Sequence, residues 1–213
     1  MRITIVYDNE ARLPELRADH GFSCLVECGD APPLLFDTGA RGRILKHNLS
    51  VLGIDLCRIG VVFISHDHSD HTGGLEEVLR EAEHPAVFRP ASSRMGVAAP
   101  DVTRVSEACQ IGPGMFSTGE LQGIEQSLVV TTDEGSVVVV GCAHPGLGSI
   151  LSAASQFGSV RAVIGGLHGF REFALLDPLS LVCPCHCTVY KAEIRRLFRG
   201  RCPDCGVGTV LEL

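Results

Sequence analysis

Short apolar runs, separated by turn-forming residues, recur along the whole chain. Runs of four to eight apolar positions bounded by Gly, Pro, Asp or Ser are typical of buried strands. The predicted strands are residues 3–7, 22–28, 34–36, 61–64, 128–132, 137–140, 160–164 and 181–182, with a closing strand within 207–213.

Other segments have apolar residues at helical spacing. Between residues 41 and 52 these are Ile44, Leu45, Leu49 and Leu52, three and four positions apart. The predicted helices are 41–52, 75–83, 146–157 and 188–199, the last with Ile194, Leu197 and Phe198 on its inner face. Residues 86–123, rich in Pro, Gly and Ser, predict short strands and loops. The absence of a repeat or linker predicts one α/β domain over residues 1–213, with a cysteine-rich tail at 183–213.

Composition narrows the class of protein. The chain has 213 residues, 45% of them hydrophobic, with a formal net charge of -7. An acidic chain without a basic run is a poor ligand for a phosphate backbone, so we expect no nucleic-acid partner. No stretch approaches the ~20 apolar residues that a membrane span needs, and no signal peptide is evident. We therefore expect a cytoplasmic protein whose ten cysteines are thiols or metal ligands, with the glycine-rich middle region offering a substrate lid or a homodimer face.

Candidate chemistry is concentrated in six residues, HDHSDH, directly after the strand at 61–64. His66 and His68 are two residues apart, so in extended backbone they leave on the same side and suit one metal ion. Asp70 and His71 follow and can reach a second position. Imidazole and carboxylate groups together are typical ligands of divalent metals.

Further histidines follow later strands. His144 comes after 137–140, His168 after 160–164 and His186 after 181–182. Histidine-bearing loops at several strand ends predict a site along one edge of packed sheets.

These motifs carry a resemblance to a known family. Residues 63–75 (FISHDHSDHTGGL) and 34–39 (LLFDTG) resemble the signature of the metallo-β-lactamase superfamily. Residues 19–23 (DHGFS), 141–146 (GCAHPG), 165–168 (GGLH) and 185–188 (CHCT) resemble its branch of 7,8-dihydropterin-6-methyl-4-(β-D-ribofuranosyl)-aminobenzene-5′-phosphate synthase-like proteins.

The resemblance implies a fold and a ligand set. The implied fold is a four-layer αββα sandwich with two divalent metal ions, most simply zinc, with iron or manganese as alternatives, at one edge of the sheets. It implies His66, His68 and His144 on one ion, and Asp70, His71 and His186 on the other. Asp37 would orient the ligand loop through a bound imidazole.

Cysteines leave two questions open. Most hydrolases of the superfamily carry an aspartate where this chain has Gly141-Cys142, so Cys142 is either a thiolate ligand or a small buried residue. In the tail, Cys202 and Cys205 form a Cys-x-x-Cys knuckle. The knuckle is half of a zinc site completed by two of Cys183, Cys185 and Cys187, a redox pair, or a set of free thiols.

The implied activity is hydrolysis of a small anionic or pterin-like substrate. Two adjacent metal ions lower the pKa of a shared water and polarise a substrate oxygen. Asp70 would hold a metal and orient the water, and His168 would protonate the leaving group or bind an anion, unless it only caps a loop. The alternatives are a synthase of pterin-cofactor assembly and a non-catalytic iron, redox or metal-sensing module.

Overall fold

The computed structural model describes residues 1–96 and 99–213. Their strands are β1 (Arg2–Tyr7), β2 (Ser23–Glu27), β3 (Leu34–Phe36), β4 (Val61–Phe63), β5 (Ala86–Pro90), β6 (Val102–Val105), β7 (Cys109–Gly112), β8 (Met115–Ser117), β9 (Leu128–Thr132), β10 (Gly135–Val140), β11 (Val160–Gly166), β12 (Leu181–Cys185) and β13 (Val210–Glu212). One sheet has the order β13-β1-β2-β3-β4-β5-β6, and the other has the order β12-β11-β10-β9-β8-β7.

The helices are α1 (Gly42–Val51), α2 (Ser69–Thr72), α3 (Leu75–Glu81), α4 (Leu147–Ala154) and α5 (Lys191–Leu197), with short 3-10 turns between some elements. None of these helices is long and apolar enough to cross a membrane. The predicted middle region forms β5 to β8 as expected, although residues 97 and 98 within it lie outside the described part.

The run Val137–Val140 shows why the layers stack as they do. Val137 and Val139 point into the core between the two sheets, where they join Ile5, Phe36 and Phe63. Val138 and Val140 point outward into a second apolar cluster that includes the helix α4. Successive strand residues face opposite sides, so a continuous apolar run is a strand buried on both faces.

The outer helices complete the layers. Leu45 of α1 and Val78 of α3 pack on the outer face of the first sheet, and Ile150 of α4 and Ile194 of α5 pack on the second. The αββα sandwich expected from the resemblance is therefore confirmed.

Two predicted elements were wrong at their ends. The last helix begins at Lys191 rather than 188, because Thr188 closes a turn after β12 by donating its hydroxyl to the carbonyl of Cys185 at 2.7 Å. Leu197, expected on the inner face, is 46% exposed. The strand at 181–182 continues to Cys185 although Pro184 interrupts the apolar pattern, since an edge strand tolerates proline.

The direction of the strands positions the candidate site. In the first sheet β3, β4 and β5 are parallel, and in the second sheet β10, β11 and β12 are parallel. Parallel strands bring their carboxyl ends to one edge, where ligand sites of such sheets are found.

Candidate metal centre

Five imidazoles from both sheets meet at this edge. The ring centroids of His66 and His144 are 4.8 Å apart, and those of His68 and His144 are 4.9 Å apart. His66 and His71 are separated by 4.2 Å, and His71 and His186 by 5.0 Å. The structure thus brings together residues from the loops after β4, β10 and β12.

Several residues in the loops at this edge have strained backbone conformations. Asp37, Ala143, His168 and His186 have φ angles of 53°, 57°, 45° and 46°, in the left-handed region. Each lies in the first residues after a parallel strand. Such a conformation costs about 1–3 kcal/mol for a residue other than glycine, and clusters of this kind mark functional sites.

The first group of donors consists of His66, His68 and His144. Their ligand atoms lie within 4.8 Å of one another. Nε2 of His66 is 3.0 Å from Nδ1 of His68. Nε2 of His144 is buried and has no hydrogen-bond partner among the described residues. A buried, unpartnered imidazole nitrogen facing two others fits a metal ion, which would satisfy all three.

Ser65 determines the tautomer of His66. The Ser65 hydroxyl donates to Oδ2 of Asp37 at 2.7 Å, and Nδ1 of His66 lies 2.9 Å from Oγ of Ser65. A hydroxyl has one hydrogen, so Nδ1 of His66 must be the donor in the second contact. Nε2 of His66 then carries the lone pair that can bind a metal ion, and this nitrogen faces the other donors.

Asp37 performs the same task for His71. Its Oδ2 is 2.7 Å from Nδ1 of His71, and its Oδ1 accepts the backbone N–H of Ser65 at 2.7 Å. Burial alone would lower the pKa of His71, but the Asp37 carboxylate outweighs it and raises the pKa. Burial, with positive charge on the neighbouring histidines, lowers the pKa of His66 and keeps it neutral.

A second group of donors surrounds Asp70. Its Oδ2 is 3.1 Å from Nε2 of His186, 3.8 Å from Nε2 of His71 and 3.2 Å from Nε2 of His20. His20 is exposed, and it was not predicted from sequence as a site residue. The second group of donors is separate from the first group. The two groups are adjacent, because the ring of His66 lies against the ring of His71.

Asn9 orients His186. Its Oδ1 accepts the backbone N–H of Gly21 at 3.2 Å and lies 2.9 Å from Nδ1 of His186, which therefore donates. Nε2 of His186 is left facing Asp70. Burial, followed by the positive charge of His71, lowers the pKa of His186 to about 3. Nothing near Asn9 in the sequence suggests this role, because the two residues are 177 positions apart.

Two thiols stand beside the second group. Sγ of Cys142 is 3.2 Å from Nε2 of His71 and 3.2 Å from Sγ of Cys187. The contact with Cys187 raises the pKa of the Cys142 thiol, and the same contact lowers the pKa of Cys187. Cys142 is buried with its sulfur in the cluster, so sulfur would join nitrogen and oxygen around an ion here. Such a donor set fits zinc or iron better than magnesium.

Glu125 holds the loop that carries Cys142 and His144. Its Oε1 accepts the backbone N–H groups of Gly141, Cys142 and Ala143 at 3.0, 2.9 and 3.2 Å, and its Oε2 accepts that of His144 at 3.0 Å. The side chain is fully buried, which raises its pKa. Glu125 is not recognisable as a functional residue from sequence, because its local sequence resembles any surface loop.

His168 lies at the rim of the centre. Its side chain is exposed, and its ring centroid is 5.2 Å from that of His144. Both line an open cavity of about 380 Å³ together with Phe170 and Arg171. The guanidinium of Arg171 lies 4.6 Å from the centroid of the Tyr190 ring. The position suits contact with a substrate rather than with an ion of the first group.

The cysteines of the tail do not pair as the knuckle suggested. Cys205 is fully buried and lies with Cys183 and Cys185, their sulfur atoms within 4.8 Å of one another. Cys202 is outside this group and half-buried at the margin of the outer apolar cluster of the second sheet.

The fold and the convergent His, Asp and Cys donors define an αββα protein with a candidate metal centre at one edge of its sheets. Comparison with known sequences gives the family: the profile of the Metallo-beta-lactamase superfamily matches residues 16–151, and the chain belongs to that superfamily.

Individual relatives agree. A curated relative from Methanocaldococcus jannaschii, 7,8-dihydropterin-6-methyl-4-(beta-D-ribofuranosyl)-aminobenzene-5′-phosphate synthase, is 25% identical over 83% of each chain. The solved structure of a metal-dependent hydrolase of the beta-lactamase superfamily is 28% identical, with a TM-score of 0.81 over 100% of this chain and 99% of that chain. Zinc-bound PqqB from Methylobacterium extorquens shares the fold at 14% identity, with a TM-score of 0.65 over 100% of both chains. The resemblance stated from the motifs is confirmed.

Proposed function

We propose that this chain is a metal-dependent hydrolase of a small anionic or pterin-like molecule. His66, His68 and His144 would hold one divalent ion, and Asp70, His71 and His186, with Cys142, would hold another. The supporting observation is the orientation of three imidazoles. Nδ1 of His66, His71 and His186 is engaged by Ser65, Asp37 and Asn9, which leaves each Nε2 directed into the same edge. Metal ligands are commonly oriented by such partners.

Bound zinc ions would supply a nucleophile from water at neutral pH and polarise an oxygen of the substrate. The chain's own side chains would orient the water and transfer protons. Oδ2 of Asp70, between His20 and His186, would hold an ion and orient the nucleophilic water. His168, at the cavity rim, is placed to give a proton to the leaving group.

The cavity beside His144 suggests the substrate class. Arg171 would supply a positive charge for a phosphate or carboxylate beside the acidic Glu172, which lines the same cavity, and Phe170 would supply a half-buried aromatic face for a flat ring. Arginine is suited to both tasks because its planar fork matches planar anions. A single αββα domain in a reducing cytoplasm, where its thiols stay available as ligands, completes the proposal.

Turnover and metal content, measured on the same samples, test this proposal. Wild-type protein purified without chelator should contain at least two ions and hydrolyse at least one member of a set of phosphodiesters, lactones and thioesters. His68→Ala should lose metal and turnover together. His84→Asn is the matched control, since His84 precedes β5 at the opposite end of the parallel strands. Loss of turnover in His68→Ala with wild-type metal content would contradict the proposed site.

A synthase of pterin-cofactor assembly is the second candidate. The similarity to the methanogen synthase over 83% of each chain favours it. Purified protein can be incubated with a reduced pterin bearing a 6-substituent that can leave, with and without a ribosyl-aminobenzene phosphate co-substrate. Condensation that needs both compounds would establish the synthase, whereas release of product from one compound and water would establish the hydrolase.

A further inference from the structure

We propose that Cys183, Cys185 and Cys205 form a separate structural site that binds one zinc ion in the core between the sheets. Their sulfur atoms all lie within 4.8 Å of one another, and those of Cys183 and Cys185 are 4.0 Å apart. Cys183 is 1% exposed, and Cys185 and Cys205 are 0% exposed. Closed sites rich in thiolate are typical of structural zinc.

The topology explains why these three sulfurs meet. Cys183 and Cys185 are two positions apart on β12, so both side chains point to the same face, into the core between the sheets. Cys205 comes from the loop between α5 and β13, and that loop carries the chain from one sheet to the other. β12 is the outermost strand of its sheet and β13 is the outermost strand of the other. An ion held by all three would therefore link the two sheets along their open side.

Asp8 provides a second, independent observation. Asp8 directly follows β1 and is fully buried. Its Oδ2 has no hydrogen-bond partner among the described residues. A buried carboxylate oxygen without a partner is costly unless an ion or a proton satisfies it. Asp8 lies outside the group of three sulfurs that are within 4.8 Å of one another, so its carboxylate is a neighbouring group that an ion held by the sulfurs would help to satisfy.

A positive charge lies beside the proposed site. Three thiolates and one divalent ion have a net charge of −1, and the ammonium of Lys191 acts on Cys205, lowering the pKa that its thiol would otherwise have. The same ammonium pairs with Oε1 of Glu10 at 3.2 Å.

This site is distinct from the candidate metal centre but adjacent to it. Oδ1 of Asp8 accepts the backbone N–H of His186 at 2.6 Å, and Cys185 directly precedes His186. The sulfur of Cys187, in contrast, lies against Cys142 in the metal centre. Zinc bound between β12 and the tail would therefore hold the turn that places His186, without sharing ligands with the other ions.

Zinc content distinguishes the site from three buried free thiols. Zinc should be measured after gel filtration in wild type, Cys205→Ser and the control Cys202→Ser, whose sulfur lies outside the cluster. Cys205→Ser should contain one zinc fewer per chain and melt at a lower temperature, while Cys202→Ser should match wild type in both. Equal zinc in Cys205→Ser and wild type would overturn the proposal.

A spectroscopic test does not depend on the folding of Cys205→Ser. In the variant His68→Ala, Cys142→Ser, Cys187→Ser, the remaining thiol cluster can be loaded with cobalt(II) after metal removal. Sulfur-to-cobalt charge-transfer absorption in the near ultraviolet would support the site. Its absence from folded protein, or a disulfide between any two of the three cysteines in freshly purified protein, would refute it.

Discussion

Asp37 Oδ2 lies 2.7 Å from Nδ1 of His71, and both side chains are 0% exposed. The two residues are 34 positions apart: Asp37 directly follows β3, and His71 lies in α2, after the neighbouring parallel strand β4. A charged hydrogen bond in a site closed to water is stronger than one at the surface. This contact determines which nitrogen of His71 can bind an ion.

Asp37→Asn should weaken metal binding at the position served by His71. Replacing the carboxylate by an amide removes the charge that stabilises the Nδ1–H form, so Nε2 is a poorer ligand. Changes of this kind cost roughly 10–100-fold in metal affinity. Zinc affinity can be measured by competition with a chromophoric chelator, with Asp133→Asn, in an exposed turn, as the control. Unchanged affinity in Asp37→Asn would show that the contact does not serve a metal ligand.

Glu125→Gln should disturb the loop of residues 141–144. An amide accepts through one oxygen only, so its NH₂ group would face the N–H of His144, which now binds Oε2. Leaving a buried donor unsatisfied costs about 1–3 kcal/mol. We expect a loss of that size in urea unfolding, together with loss of the ion held by His144. Glu107→Gln, at an exposed position between β6 and β7, should do neither.

Cys142→Ser should separate a ligand from a packing residue. The hydroxyl has nearly the same size as the thiol but is a harder and less acidic donor, so zinc or cadmium binding should fall by roughly tenfold or more if the sulfur binds metal. Isothermal titration with cadmium would measure this. Cys109→Ser in β7 is the control. Wild-type cadmium affinity in Cys142→Ser would mean that Cys142 only fills space.

His168→Asn should lower turnover without removing metal. Asparagine tolerates the positive φ of 45° at this position, so the backbone is preserved. Loss of a general acid reduces rates by roughly 10²–10⁴-fold. We expect kcat to fall with unchanged zinc content, and the fall to be smaller for substrates with good leaving groups. Equal losses for all leaving groups would assign His168 to binding instead.

Alkylation of Cys202 should depend steeply on pH. Burial raises its pKa to about 11, so at pH 8 roughly a thousandth of the thiol is present as the reactive thiolate. Because the pKa is raised, the rate with iodoacetamide should increase about tenfold per pH unit until pH approaches 11. Peptide mass spectrometry would follow the modification at this position. A rate already at its plateau at pH 8 would contradict the burial of this sulfur.

The secondary-structure elements and the ligands at residues 66–71 could be predicted from sequence, because both depend on local sequence patterns. The run at 137–140 predicts a strand through its hydrophobicity alone, and the structure has β10 there. The six residues from His66 to His71 contain five potential donors, so their spacing alone indicates a metal site. Proline and cysteine interrupt the pattern at 183–185, and there the strand was predicted too short.

Only the tertiary structure determined which side chains surround and orient these ligands. Asn9 reaches His186 across 177 positions, and Glu125 binds a loop from another strand connection. Likewise Cys205, rather than Cys202, meets Cys183 and Cys185. Hydrophobic periodicity reports which face of an element is buried, but a hydrogen bond or a shared ion depends on the distance between atoms of distant segments. That distance is set only when the two sheets pack together.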